Sequence, residues 1–338
     1  MSAGRTEALE RFLASAGWAE AQHCTLAEDA SFRRYERVSQ GSERAVLMDA
    51  PPDREDVRPF LLIARKLQEC GYSAPIILAE DVERGFLLLE DLGDETFSRL
   101  LDGGTRPEEL YTLAVDLLID LHRRPAHDVI PSGLLPYDNA LFEKEAALLT
   151  EWYLPSVLPK SSNENAFALY REIWRALLPR ARGVPETLVL RDFHVDNLIR
   201  VGMRDGIAAC GLLDFQDAVK GPVTYDLISL LEDARRDVPD SVTKAIRTRY
   251  LKAFPDLDET LFDRSCAILG AQRHCKVLGI FTRLRDRDGK VSYLEHVPRV
   301  WRLLERAVMH PALGELKAWL DEYVPTDHRV VPSNRSTL

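Results

Sequence analysis

No run of this 338-residue chain comes near the roughly 20 consecutive apolar residues that a membrane-crossing helix requires. The most apolar segments, 86–89 and 117–121, are short and have charged neighbours, so no membrane partner is expected. An apolar signal core is missing as well. The first ten residues contain Arg5, Glu7 and Glu10, and a cytoplasmic location is the expectation. Cysteine is sparse, with five residues at 24, 70, 210, 266 and 275 and no Cys-x-x-Cys pair. That odd, scattered set argues against a disulfide framework or a zinc site and reads as reduced thiols. Positive charge is in deficit too. A formal net charge of −10 leaves no basic footprint of the kind nucleic-acid backbones select, so no nucleic-acid partner is expected.

What is present reads as a globular protein of two domains, with 46% hydrophobic and 29% charged residues. Up to about Leu92, strand-like runs at 24–28, 32–38, 44–49, 75–78 and 86–90 surround one helical stretch, 57–70. In that stretch Phe60, Ile63, Ala64 and Leu67 recur at helical spacing and Gly71 follows. This order predicts an antiparallel sheet carrying one helix, an α+β arrangement. After Gly93 helical patterns dominate, at 107–123, 139–153, 164–178, 225–235, 241–254, 258–285 and 293–310. A β island at 187–190, 198–201 and 207–213 interrupts them. The expected division is 1–93, 94–324 and a frayed tail 325–338.

The chemistry concentrates in the island. An apolar strand, a polar loop and a second apolar strand place Asp192 and Asn197 five residues apart. A further apolar strand ends in Asp214-Phe215. Single Asp and Asn residues in turns usually only bond backbone, but two such loops in this order fit phosphoryl transfer, where a protein positions groups and stabilises charge. Asp192 then accepts the proton of an attacking hydroxyl, and Asn197 and Asp214 offer the hard oxygens that Mg²⁺ prefers. ATP is the expected donor, and the net acidity is no obstacle, because nucleotide sites neutralise phosphate locally.

These residues resemble the aminoglycoside phosphotransferase and choline kinase group of protein-kinase-like folds, whose catalytic loop reads His-Gly-Asp-x-x-x-x-Asn. Leu190-Arg191 stands here for His-Gly. The resemblance implies two lobes, an N-terminal lobe of antiparallel sheet plus helix and a mostly helical C-terminal lobe. It implies a structural role for Asp226, tying down the catalytic loop. In the N-terminal lobe it implies nucleotide contacts from Ala30 and Ser31, from Val46, and from Glu90 and Leu92 at the adenine edge. The family's third-strand phosphate lysine is replaced by Met48, a thioether that cannot neutralise phosphate. Arg33 and Arg34 are the nearest substitutes, and strand alternation should turn one of them to the cleft.

Within the group, the runs at 29–35, 46–52 and 89–94 and the catalytic loop are similar to bacterial anomeric kinases of N-acetylmuramate and N-acetylglucosamine, used in cell-wall sugar recycling, which also lack that lysine. The implied product is a sugar 1-phosphate. Glu145 and Trp152 share a helical face and suit a sugar, by hydroxyl hydrogen bonds and ring stacking; His194, Gln216 and Asp217 are candidates by position. Lys276 and Arg283 form a basic stripe able to receive the lactyl carboxylate of N-acetylmuramate, or to pair with local acids. An aminoglycoside, choline or homoserine kinase remains an alternative, as does a non-catalytic relative that binds nucleotide or sugar.

Overall fold

The structure, a computed structural model, describes residues 3–26, 32–158 and 164–333. Among the described residues, nine strands lie in chain order at Gln22–Thr25 (β1), Arg34–Gln40 (β2), Glu43–Asp49 (β3), Ile77–Asp81 (β4), Phe86–Glu90 (β5), Glu186–Val189 (β6), Leu198–Arg200 (β7), Cys210–Leu212 (β8) and Val219–Pro222 (β9). The chain forms two compact units, each built from several segments.

The first unit comprises the described residues up to Asp120, with His127–Gly133 and Val195–Ala218. Its five-stranded antiparallel sheet has the order β1-β2-β3-β5-β4. Successive side chains on a strand point to opposite faces, which sorts this sheet cleanly. Val38, Ala45, Leu47, Phe86 and Leu88 face Leu9, Phe12 and Leu13 of a helix, Ala3–Ser15. That helix was not anticipated, because only three of its residues reach the core and its hydrophobic stripe is thin. Arg5 anchors it, with Nε 2.9 Å from Asp49 Oδ1 and its guanidinium 4.5 Å from the Phe86 ring centre. The other parity carries Tyr35 and Arg37 opposite Met48 and Val46, with Leu87 and Leu89 beyond. The expected helix is present at Arg58–Glu69, burying Phe60, Ile63, Ala64 and Leu67.

The expected cut at Gly93 does not match these units. The β7–β8 hairpin, far along the chain, bridges Ser73 through Gly211 and Thr96 through Ile199. Leu92, Ile199 and Val201 close a small apolar cluster beside it. Gly211 permits that approach, since a Cβ there would sit 2.5 Å from Ile199 Cγ2.

The second unit takes Leu121–Ala126, Leu134–His194 and the chain from Val219 onward. Its axis is the 30-residue helix Glu259–Asp288, unbroken, capped by Asp258 at its start and by left-handed Gly289 at its end. The stretch expected as one helix at 139–153 is a helix, Asn139–Ala146, followed by a π turn at Leu149–Tyr153. Gly279 lets the long helix press against this bend, where a Cβ would meet the Leu148 carbonyl carbon at 2.3 Å. Strand β9, which the sequence did not suggest, pairs with β6. The tail is not frayed through Ser333. The Tyr153 hydroxyl donates to the carbonyls of His328 and Val330, at 3.1 and 2.7 Å. Arg285 donates to those of Pro332 and Ser333, and Arg329 pairs with Glu305 and Asp321. Among the described residues no helix is long and apolar enough to cross a membrane.

Candidate active site

In the second unit, β6 runs into Leu190-Arg191-Asp192. Arg191 adopts a φ of 70°, in the left-handed region that non-glycine residues seldom enter. The surroundings hold it there. Asp226, buried at the start of the helix Thr224–Leu231, accepts the backbone N–H of Leu190 at 2.6 Å and of Arg191 at 2.8 Å. The Arg191 carbonyl accepts from Arg273 Nη1 at 3.2 Å and Ser229 Oγ at 3.4 Å. Both peptide groups flanking residue 191 are thereby fixed, and with them the backbone of Asp192. Desolvation works against charge on the half-buried Asp192 carboxyl, but the cations Lys276, Arg273 and Arg191 outweigh it and hold the group below the ordinary carboxylate range. Ionised at neutral pH, Asp192 can accept a proton.

Asp226 contrasts with it. Burial pushes its carboxyl up to about 7, against the pull of the two N–H donors and Arg273. Between the ordinary carboxyl value near ~4 and this raised one, the folded chain keeps a proton that the unfolded chain has released. The group's contribution to stability is therefore complete below about pH 4 and lost as pH rises through about 7. Asp226→Asn offers one acceptor where the carboxyl offers two, leaving one buried N–H unmet at a cost of about 1–3 kcal/mol. Denaturant unfolding at several pH values should show a lower midpoint for this variant and a flatter slope between pH 4 and 7; an unchanged midpoint would refute the role.

Glu145 and Lys276, expected to hold a sugar, instead engage each other. Lys276 Nζ lies 3.0 Å from Glu145 Oε1, which Arg191 also contacts; Oε2 accepts from Tyr137 and from Gln272, the latter at 3.3 Å. Burial raises the Glu145 carboxyl, but Lys276 and Arg191 outweigh it and keep the group low. Four donors on two oxygens leave Glu145 no face for a sugar hydroxyl. Sequence spacing could not show this, because the donors come from 137, 191, 272 and 276. Trp152 sits partly buried in the π turn rather than one regular turn beyond Leu149. His194 is buried, with Nε2 3.3 Å from Arg235, and desolvation followed by Arg235 pulls its imidazole below the usual range. Arg283 is partly buried, and among the described residues no ion pair engages it. Its burial, with Arg287 nearby, lowers the guanidinium below its ordinary value.

In the first unit, β2, β3, β5 and the β7–β8 hairpin surround a cavity of about 500 Å³ lined by Val46, Leu89, Glu90, Leu92, Asn197 and Asp214, among others. The hairpin brings its two polar ends together. Leu213 N–H donates to the Asn197 carbonyl at 3.0 Å, and Asn197 Nδ2 lies 3.4 Å from Asp214 Oδ2. Asp214 has a φ of 55°, which a short acidic side chain tolerates better than most. Phe215 stacks on Phe60, ring centres 4.9 Å apart, pinning the segment. Gln216, expected near a sugar, donates to Asp214 Oδ1 at 2.7 Å instead. Asp217 is exposed.

The two arginines separate. Arg33 Nη2 approaches Asp214 Oδ1 at 3.5 Å and Nε approaches Glu55 at 3.9 Å, while Arg34 is exposed. Ala30 and Ser31 lie outside the described residues. Sequence reasoning missed Arg37, whose guanidinium grips Asp91 at 2.7 and 2.9 Å and Asp94 at 2.9 and 3.0 Å, tying β2 to the segment after β5. Nothing in the sequence links residue 37 to 91. The Glu90 carboxylate is taken by Arg204 and the Ile76 N–H, and its own backbone N–H donates to the Ile76 carbonyl at 2.8 Å.

Among the described residues no group of three or more His, Cys, Asp or Glu could hold a metal alone. The Asp214 carboxylate, on which Arg33, Asn197 and Gln216 converge, together with the Asn197 amide oxygen, instead fits a Mg²⁺ that keeps water and substrate phosphate as its remaining ligands.

A family model described as a phosphotransferase enzyme family (APH) matches residues 23–262. A relative from Caulobacter vibrioides named N-acetylmuramate/N-acetylglucosamine kinase is 37% identical, over 97% of this chain and 99% of its own length. One of the same name from Pseudomonas aeruginosa is 40% identical over 91% and 90%. Among solved structures, choline kinase LicA from Streptococcus pneumoniae superposes with a TM-score of 0.63 at 11% identity, over 91% of this chain and 100% of its own. The gentamicin complex of the aminoglycoside phosphotransferase APH(2")-IIa gives 0.62 at 16% identity, over 90% and 98%. The fold is thus the protein-kinase-like α+β fold of these enzymes.

Proposed function

This chain belongs to the APH family of phosphotransferase enzymes, and on that premise we propose that it moves the γ-phosphoryl group of ATP to the anomeric hydroxyl of N-acetylmuramate or N-acetylglucosamine. The product is the sugar 1-phosphate, formed in the cytoplasm during reuse of cell-wall sugars. The observation that carries this reading is the likeness to relatives of that name over nearly the full length of both chains. Asp192 accepts the hydroxyl proton. An anomeric hydroxyl is more acidic than an ordinary alcohol, which suits a carboxylate held in its ionised form. The Glu90 carbonyl and the Leu92 N–H meet the adenine edge, with Val46 against the base. Asn197 and Asp214 hold Mg²⁺, which supplies neutralisation of the phosphate charge. Trp152, His194, Asp217 and Arg283 remain the sugar-side candidates. Of these, Arg283 is best suited to the lactyl carboxylate, being a cation that no ion pair engages among the described residues.

Arg33 takes the place of the missing third-strand lysine. Its pairing with Asp214, a proposed metal ligand, and with Glu55 supports this reading and favours turnover over a non-catalytic role. Arg33→Ala should raise the KM for ATP about tenfold or more, whereas Arg34→Ala should leave it near wild type. Equal KM values for both variants would remove Arg33 from this role.

The test of the function is a substrate panel. Purified protein with ATP and Mg²⁺ should phosphorylate at least one of the two amino sugars, with phosphorus NMR showing a 1-phosphate rather than a 6-phosphate. Activity on choline, homoserine or an aminoglycoside, with none on either amino sugar, would overturn it.

A further inference from the structure

A glycine at position 191 would occupy φ 70° without strain; an arginine there costs backbone energy that its side chain must offset. The side chain does so by reaching Glu145, in the helix Asn139–Ala146, while its guanidinium lies 5.3 Å from the Tyr137 ring centre. Glu145 is in turn held by Gln272 and Lys276 from the long helix Glu259–Asp288. Three separate elements therefore meet at one buried carboxylate, and the loop residue next to Asp192 is one of its four donors. Backbone and side chain of Arg191 act on different anchors: Asp226, Arg273 and Ser229 hold the peptide groups, and Glu145 holds the guanidinium. Residue 191 cannot leave the left-handed region without breaking both sets.

We infer that Arg191 is a positioning residue, whose ion pair with Glu145 locks the catalytic loop to the helix Asn139–Ala146 and so sets where the Asp192 carboxylate stands. The inference rests on the reading of Asp192 as the base. It recasts Glu145 from a sugar ligand to the fixed end of this lock. A looser base is a misplaced base, and displacement by an ångström suffices to slow a reaction by about a hundredfold.

Three variants of the full chain test it: Arg191→Gly, which relieves the strain but removes the lock; Arg191→Lys, which keeps the charge without the planar fork; and Glu145→Gln. Arg191→Gly should lower kcat about ten- to a hundredfold with the KM for ATP changed less than about twofold, and should speed amide exchange in the peptide covering 188–194. Arg191→Lys should recover part of the loss. The double variant Arg191→Gly/Glu145→Gln should be no slower than the worse single variant, because both remove one contact. Wild-type exchange and kcat in Arg191→Gly would overturn the inference, as would losses that multiply in the double variant. Should Arg191→Gly not fold, Glu145→Gln is read by the same two measurements. If wild-type protein phosphorylates neither amino sugar, the proposed function fails, while exchange at 188–194 in the variants still decides the lock.

Discussion

Asp192→Asn is expected to lower turnover by about three orders of magnitude while nucleotide affinity stays at the wild-type level. The substitution preserves shape and removes the one property at issue, the capacity to take a proton. The loop should survive it, because Asp226 binds the backbone N–H groups of Leu190 and Arg191, while Arg273 and Ser229 bind the Arg191 carbonyl. Lys276 and Arg273, which hold the native carboxyl ionised, would then face a neutral amide, so a small loss of thermal stability is also expected. Steady-state release of ADP gives the turnover, and calorimetric titration with nucleotide gives the affinity. Turnover within tenfold of wild type would remove Asp192 as the base.

The second large effect is expected from Asp214→Ala. The Asp214 carboxylate is the convergence point of Arg33, Asn197 and Gln216. Without it those groups lose their common anion, and Mg²⁺ loses its charged protein ligand. The tightening of ATP binding by Mg²⁺ should disappear, and turnover should fall about a thousandfold, the equivalent of the several kcal/mol a metal contributes to transition-state charge. Binding of metal-free ATP should change little, since the proposed adenine contacts come from β3, β5 and Leu92, which line the cavity apart from Asp214. Titrations with and without Mg²⁺ separate the two contributions. A variant that still binds ATP more tightly with Mg²⁺ would show that Asp214 is not a ligand.

The five-residue separation of Asp192 and Asn197, between two apolar strands and ahead of Asp214-Phe215, was legible in the chain because strand, loop and turn chemistry are local properties. So was the helix at Arg58–Glu69, whose apolar stripe repeats at the helical period. The helix Ala3–Ser15 and strand β9 were not, because each is stabilised by partners far away in sequence: the sheet face for one, β6 for the other. The compact units divide the chain differently from the expected cut at Gly93 for the same reason. A change in local pattern marks where helices begin to dominate, whereas a compact unit is defined by contacts such as those of Gly211 with Ser73.

The candidate site divides along the same line. The sequence by itself determined which residues can carry the chemistry, since a proton acceptor and hard metal ligands are matters of residue type and spacing. Only the tertiary structure decided which charges are already engaged. It gave Asp214 to Arg33 and left Arg34 exposed, tied Arg37 to Asp91 and Asp94, and gathered Tyr137, Arg191, Gln272 and Lys276 onto Glu145. A buried charge must find its partner wherever packing brings one near, and packing joins residues that periodicity, which reports only on neighbours, cannot connect.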